Sequence, residues 1–247
     1  MEENRKNIIL GIDSSGTVAS AALATEDVVI AEYTLNNKLT HSQTLLPMID
    51  EVISKAGIET EDIVAIAIAS GPGSFTGLRI GAATAKGIGM AWNLPIVPVP
   101  TLEGMAFQLY GTDRLICPIM DARRGQVYTG LYEFTKNEMG NRMTAENFRV
   151  VAPQEAKDIH QQISCINQLG REVIFLGDGV PVYEEAIKTE MTVGYLLAPP
   201  FAARQRAAAV AVLGAYYYRQ GKTESAAEHK PEYLRVSQAE RERAERE

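Results

Sequence analysis

Residues 64–79 read VAIAIASGPGSFTGLR, and their order sets the fold class. Val64 to Ala69 is an unbroken apolar run, the pattern of a strand covered on both faces. Three glycines, one proline and two hydroxyl residues follow between Gly71 and Gly77, and a helical stretch then runs to about Trp92. A buried strand that feeds a helix through a glycine-rich turn is a building unit of α/β proteins. A helix N-terminus presents unpaired N–H groups and the positive end of the dipole, so Gly71, Gly73 and Ser74 are candidate anion-binding positions. The loop lacks the Gly-Lys-Ser/Thr ending of a Walker A motif and does not match GxGxxG. A plain strand–helix connection with Ser74 or Thr76 as N-cap reads the same residues equally well.

Upstream of this unit, Ile8 to Ile12, Val18 to Leu23 and Val28 to Leu35 read as a three-stranded meander. Leu45, Ile49, Val52, Ile53 and Ala56 then recur at helical spacing, and Gly57 stops the helix. Pro47 fits that helix only in its first turn. Downstream, Ile96 to Val99 predicts a strand and Thr101 to Tyr110 a helix. From Leu115 the plan restarts. "IILGIDSSGTVASAAL" at 8–23 and "LICPIMDARRGQVYTGLY" at 115–132 are both strand, Asp, glycine-containing turn, strand. A helix near Pro153 to Cys165, a strand at Val173 to Leu176 and a helix from about Ala202 to Arg219 follow. The expectation is two duplicated α/β halves with mixed sheets, residues 1–110 and 111–247, the second ending in a charged tail at 236–247. Pro231-Glu232-Tyr233-Leu234-Arg235 carries two anchors that suit packing back onto the body.

Asp13-Ser14-Ser15-Gly16 ends the first strand. Such a turn can gather backbone N–H groups around an anion, with the Asp suited to a hydrated cation. Taken alone, the motif reads better as an ordinary hairpin turn in which the Asp caps its own backbone.

The chain has 247 residues and a formal net charge of −7, with 46% hydrophobic and 22% charged residues. Residues 1–110 carry 6 Lys/Arg against 12 Asp/Glu, and residues 111–247 carry 18 against 19. Nucleic-acid affinity rests largely on cationic side chains, so so acidic a first half argues against autonomous RNA or DNA binding. No apolar run approaches the ~20 residues of a membrane span, and no secretory signal is visible. Cys117 and Cys165 have no metal-binding spacing, so neither a disulfide framework nor a structural zinc site is expected, and the cytoplasm is the default compartment. His41, His160 and His229 show no hydrolytic pairing, and no GxSxG elbow is present.

Two helices carry a second candidate surface. Leu45 and Leu46, Met48 and Ile49, Val52 and Ile53 form adjacent apolar pairs, a stripe wider than one sheet face needs. Gly81, Ala85 and Gly89 repeat every four residues along one face of the next helix. Each interior glycine costs about 1 kcal/mol relative to alanine, which close approach of another backbone offsets. The partner of both faces is either the chain's own sheet or a helix of another protein.

"ILGIDSS", "HSQTLLPMIDEVI", "AIASGPGSFTGLRIGAATAKG" and "PTLEGMA" together resemble the TsaB (YeaZ) family over residues 7–110, and MDARRGQVY and PEYLR extend the likeness more weakly. That resemblance implies the actin-like/Hsp70-like ATPase fold and a part in making N6-threonylcarbamoyladenosine at position 37 of tRNA. It implies a degenerate copy of the catalytic paralogue TsaD. TsaD holds a metal partly through a His-x-x-x-His pair, and the aligned positions here are Thr101 and Met105, poor metal ligands. The implied role is a non-catalytic subunit that pairs with TsaD, within a complex that includes the TsaE ATPase, and that self-associates when alone. The implied contact uses Leu45, Leu46, Ile49, Val52, Ile53, Gly81, Ala85 and Gly89. No cofactor is required on this reading, tRNA is met only indirectly, and a nucleotide (ADP or ATP) at the complex interface is the one ligand expected. Two other readings are an active ATPase or small-molecule kinase, built on the turns at Asp13 and Asp121 with the Gly-rich loop, and a peptidase, which no motif supports.

Overall fold

The computed structural model describes residues 7–37, 39–135 and 144–235. The charged tail at 236–247 lies outside these described residues.

Five strands form the first sheet: β1 (Ile8–Asp13), β2 (Ala19–Ala24), β3 (Val29–Leu35), β4 (Ile63–Gly71) and β5 (Ile96–Pro100), in the order β3-β2-β1-β4-β5. β1, β2 and β3 are joined antiparallel, and β4 and β5 continue parallel to β1. Between them lie α1 (His41–Ala56), α2 (Phe75–Trp92) and, after β5, α3 (Thr101–Phe107). The second sheet repeats this plan. β6 (Leu115–Asp121), β7 (Gln126–Phe134), β8 (Phe148–Asp158), β9 (Val173–Leu176) and β10 (Tyr195–Leu197) stand in the order β10-β9-β6-β7-β8, with α4 (Ile159–Leu169) and α5 (Val180–Glu190) among them. β6 pairs antiparallel with β7 and parallel with β9, as β1 does with β2 and β4. Two mixed sheets of one topology, each led by a strand ending in Asp, are the duplicated actin-like architecture.

Period-two alternation distributes the side chains of the central strands. Leu10, Ile12, Ile66 and Ile68 meet Leu45, Met48, Ile49 and Val52 of α1 on one face. Ile9, Ala65, Ala67 and Ala69 look the other way, toward α6 (Ala207–Arg219) and the second sheet. Those alanines leave room for α6. A Cβ on Gly214 would collide with Ala67, and one on Gly11 would press on Ala207 and Ala211. The last helix of the chain therefore packs on the first sheet, and the core continues through Val210, Leu213, Met105, Ile116 and Tyr132 into the second half. A division at residue 110 separates the two sheets but not the packing.

Three expectations need correction. Pro153 to Asp158 belong to β8, not to a helix, which starts at Ile159 behind the Asp158 N-cap. Asp158 Oδ1 accepts the His160 and Gln161 amides at 2.9 and 3.3 Å, which fixes that start. α5 and β10 fill a stretch for which no element was expected. Pro47 sits in the interior of α1, beyond its first turn. It lies on the solvent side, where the bond it denies the helix leaves a carbonyl that water can reach.

Candidate functional site

The β1–β2 turn and the β4–α2 loop are fitted directly onto one another. Ser74 N donates to Ser15 O at 2.7 Å, and Ser14 Oγ donates to Gly77 O at 2.9 Å. A side chain at Gly73 would strike Ser15 O, one at Gly77 would strike Ser14 O, and one at Gly81 would strike Ser14 Oγ. The glycines of this loop thus serve close approach within the chain. Asp13 lies beneath, 1% exposed, its Oδ1 accepting from Ser15 N at 2.9 Å and Ser15 Oγ at 2.6 Å. Burial pushes the Asp13 carboxyl up to about 6, against the pull of the Ser15 bonds and the nearby His41. His41 Nε2 lies 2.8 Å from Gly16 O, which ties the start of α1 to the same turn.

These bonds engage several donors at the candidate anion positions, while Ser15, Gly73 and Ser74 also line the cleft that this turn faces. Ser14 Oγ, Ser15 N, Ser15 Oγ and Ser74 N are all engaged internally, and Gly71 N donates to Thr101 Oγ1 at 3.1 Å. Asp13 accepts from Ser15 through Oδ1, and a side chain at Gly73 would meet Ser15.

Facing this turn across a cleft of about 380 Å³ is its counterpart in the second half. Asp121 ends β6, its Oδ1 accepting from Arg123 N at 2.9 Å and from Tyr183 OH at 3.3 Å. Asp178 Oδ1 accepts from Asp121 N at 3.3 Å, and burial raises the Asp178 carboxyl. Asp121, Asp178 and Glu232 all border the cleft, with Arg123 and Arg235 as its cations. Arg123 stands 3.6 Å from Asp121 Oδ2, and Arg235 donates to the carbonyl of Ala122. Three carboxylates against two engaged cations make a poor seat for phosphate.

Thr101 and Met105 are both buried; Thr101 holds the Gly71 amide and Met105 joins the core between the halves. Among the described residues no group of three or more His, Cys, Asp or Glu side chains is placed to hold a metal. His160 pairs with Glu190 at 2.7 Å on the surface. His229 is buried and paired with Glu224. Cys117 and Cys165 are free thiols, and burial pushes Cys117 up to about 11.

Six of the eight positions expected at a partner surface are covered by the chain itself. Leu45, Ile49 and Val52 pack on the first sheet because they fall on the sheet-facing side of α1. Ala85 is fully buried in the same cluster, Gly81 lies on Ser14, and Gly89 lies on Ala226. Leu46 is 57% exposed and Ile53 half-buried. The outward face of the helix pair is instead made by Leu46, Pro47 and Ile53 of α1 with Ala83, Gly87 and Met90 of α2, Met90 being 66% exposed. No atom lies within 4 Å of where a Gly87 Cβ would stand. Among the described residues no helix is long and apolar enough to cross a membrane.

The family model of TsaD, tRNA N6-adenosine threonylcarbamoyltransferase, matches residues 28–243. The tRNA threonylcarbamoyladenosine biosynthesis protein TsaB of Bacillus subtilis is 33% identical over 234 residues, 94% of this chain and 96% of that protein. Its namesake in Escherichia coli K12 is 31% identical over 233 residues, 92% of this chain and 94% of that protein. Among solved structures, YeaZ from Pseudomonas aeruginosa superposes with a TM-score of 0.73 at 22% identity, covering 92% of this chain and all of that one. A likeness that runs almost end to end in both chains, on a fold with the same topology, means that this chain belongs to the TsaB family, whose named members are tRNA threonylcarbamoyladenosine biosynthesis proteins.

Proposed function

We propose that this chain is a non-catalytic subunit of the tRNA threonylcarbamoyladenosine machinery, acting in the cytoplasm by pairing with a TsaD-type catalytic subunit and stabilising its competent conformation. The observation that carries the reading is the outward face of α1 and α2. Leu46 and Met90 are large, apolar and more than half exposed, and nothing covers the surface of α2 at Gly87. An exposed apolar face on two rigid helices is the kind of surface a partner helix covers. The same face would serve self-association when the partner is absent. TsaE, and a nucleotide at the partner interface, belong to the assembled complex on this reading, and tRNA is met through the partner.

Two features support the absence of chemistry in this subunit. Thr101 and Met105, at the positions aligned with a metal-binding His pair, are occupied in holding Gly71 and filling the core. Ser15 N and Oγ are engaged by Asp13, and Arg123 N by Asp121. No observation favours the kinase or peptidase reading.

The test is mixing with a TsaD-type subunit and measuring heterodimer formation by calorimetry. Leu46→Arg and Met90→Arg should each weaken association at least tenfold while leaving the chain folded. Unchanged affinity in both arginine variants would contradict the face assignment. Robust substrate conversion by the isolated chain would contradict the non-catalytic role.

A further inference from the structure

After α6 the chain crosses back over the body. Glu224 exchanges two backbone bonds with Ile96, both 2.9 Å, which covers the outer edge of β5. Ala226 is buried against Gly89, His229 is buried with Glu224, and Lys86 Nζ holds the carbonyls of Ala227 and His229 at 2.8 and 3.1 Å. The segment then spans the cleft. Glu232 N donates to Ser70 O at 2.7 Å. Gln154 Nε2, from β8 in the second half, donates to Gly71 O and to Glu232 Oε2, each at 3.1 Å. Tyr233 packs on Phe75 with ring centres 5.0 Å apart, and Arg235 donates to the carbonyl of Ala122.

Arg79 connects this crossing to the outer surface of α2. Its guanidinium lies 3.9 Å over the Phe75 ring, and its Nε donates to Tyr233 OH at 3.3 Å. Arg79 is itself exposed.

We propose that residues 224–235 are a clasp that holds the two halves closed across the cleft, and that Arg79 is its latch, released when a carboxylate of a protein docked on α1 and α2 takes the guanidinium. The release step rests on the partner reading above; the clasp does not. Contacts with both halves hold only at the present spacing. Were the halves to part, Gln154 would lose Gly71, and Arg235 would have to leave either Ala122 or the strap's seat at Ser70. Glu232 also adds a third carboxylate to the border of the cleft that Asp121 and Asp178 line, which disfavours free anions there. The latch is the weak link in chemical terms. A carboxylate adds an opposite charge and can take two guanidinium N–H groups in a bidentate pair, whereas the neutral phenol offers Arg79 a single acceptor.

The test uses the full chain and amide hydrogen exchange. Tyr233→Ala and Arg79→Ala should each speed exchange at residues 71–78 and 122–126 at least tenfold, with β1 and β4 unchanged and one cooperative unfolding transition retained. Tyr233→Phe keeps the ring and removes only the hydroxyl, so it should reproduce Arg79→Ala even if Tyr233→Ala fails to fold. Unchanged exchange at both segments in Tyr233→Phe and Arg79→Ala would overturn the latch, and unchanged exchange in a folded Tyr233→Ala would overturn the clasp. In the wild-type chain, a TsaD-type subunit should speed exchange at 122–126, which lies on the other half from α1 and α2. A complex that forms with no change there would overturn release. Failure to form any complex would count against the partner reading alone, since the isolated-chain results do not depend on it.

Discussion

Asp13 and Asp121 stand at matching ends of β1 and β6, and each accepts through Oδ1, at 2.9 Å, the backbone N–H two residues further on. The local geometry is duplicated, but the surroundings are not. Asp13 is sealed under the β4–α2 loop, whereas Asp121 reaches the cleft and stands beside Arg123.

That difference makes Asp13 a source of pH dependence. Its carboxyl is raised from 3.8 to about 6 by burial, so the folded chain holds this proton more tightly than the unfolded chain. The associated stability is fully present below about pH 4 and is lost as pH rises through about 6. Asp13→Asn keeps an acceptor for Ser15 and cannot ionise. We expect the variant to be more stable than the wild type at pH 7 by about 1–3 kcal/mol and to show no such gain at pH 4. Urea unfolding at the two pH values reads this directly, and parallel pH profiles would refute it.

Leu45 and Leu46 are neighbours with opposite fates. Leu45→Ala should cost about 2–5 kcal/mol, the range for a buried leucine. Leu46→Ala should change stability by less than about 0.5 kcal/mol. Denaturant midpoints of the two single variants decide the matter, and equal losses would show that α1 is rotated from the orientation described.

Gly81 and Gly87 make a second contrasting pair on α2. Gly81→Ala drives a methyl into Ser14 Oγ and should destabilise by about 1–3 kcal/mol. Gly87→Ala meets open space in a helix interior and should stabilise the isolated chain by about 0.5–1 kcal/mol. Thermal unfolding separates them by sign.

Thr101 holds the buried amide of Gly71. Thr101→Val removes the acceptor at nearly constant volume and should cost about 1–3 kcal/mol, whereas Thr101→Ser retains the bond and most of the stability. A Gly71 amide that exchanges no faster in the valine variant would show that the hydroxyl is dispensable.

The repeated strand–Asp–turn–strand motif was legible because both copies use local signals, an apolar run and a turn. The β4–α2 unit was legible for the same reason, as was the anchoring of Tyr233. Adjacent apolar pairs on α1 were ambiguous. Successive helical residues differ by about 100°, so Leu45 and Leu46 straddle the boundary between covered and open faces, and only the position of the sheet says which is which. β8 was misread near Pro153 because its exposed valines and charged residues give no clean alternation. The loop's glycines look alike as an anion cradle or as a close contact; the close contact with Ser14 and Ser15, distant in sequence, shows only in the folded chain. The pairing of His229 with Glu224 was not legible, because both lie in an extended segment whose path no periodicity records.

The seating of α6 on the first sheet sets the order in which this protein can be made. Before α6 is translated, Ala65, Ala67 and Ala69 have only α3 to cover them, since Val210, Leu213 and Gly214 are still to come. The early product is thus an unfinished layer that depends on a helix far downstream. Premature termination anywhere before residue 207 yields a sticky remnant for proteases and chaperones rather than a smaller working piece.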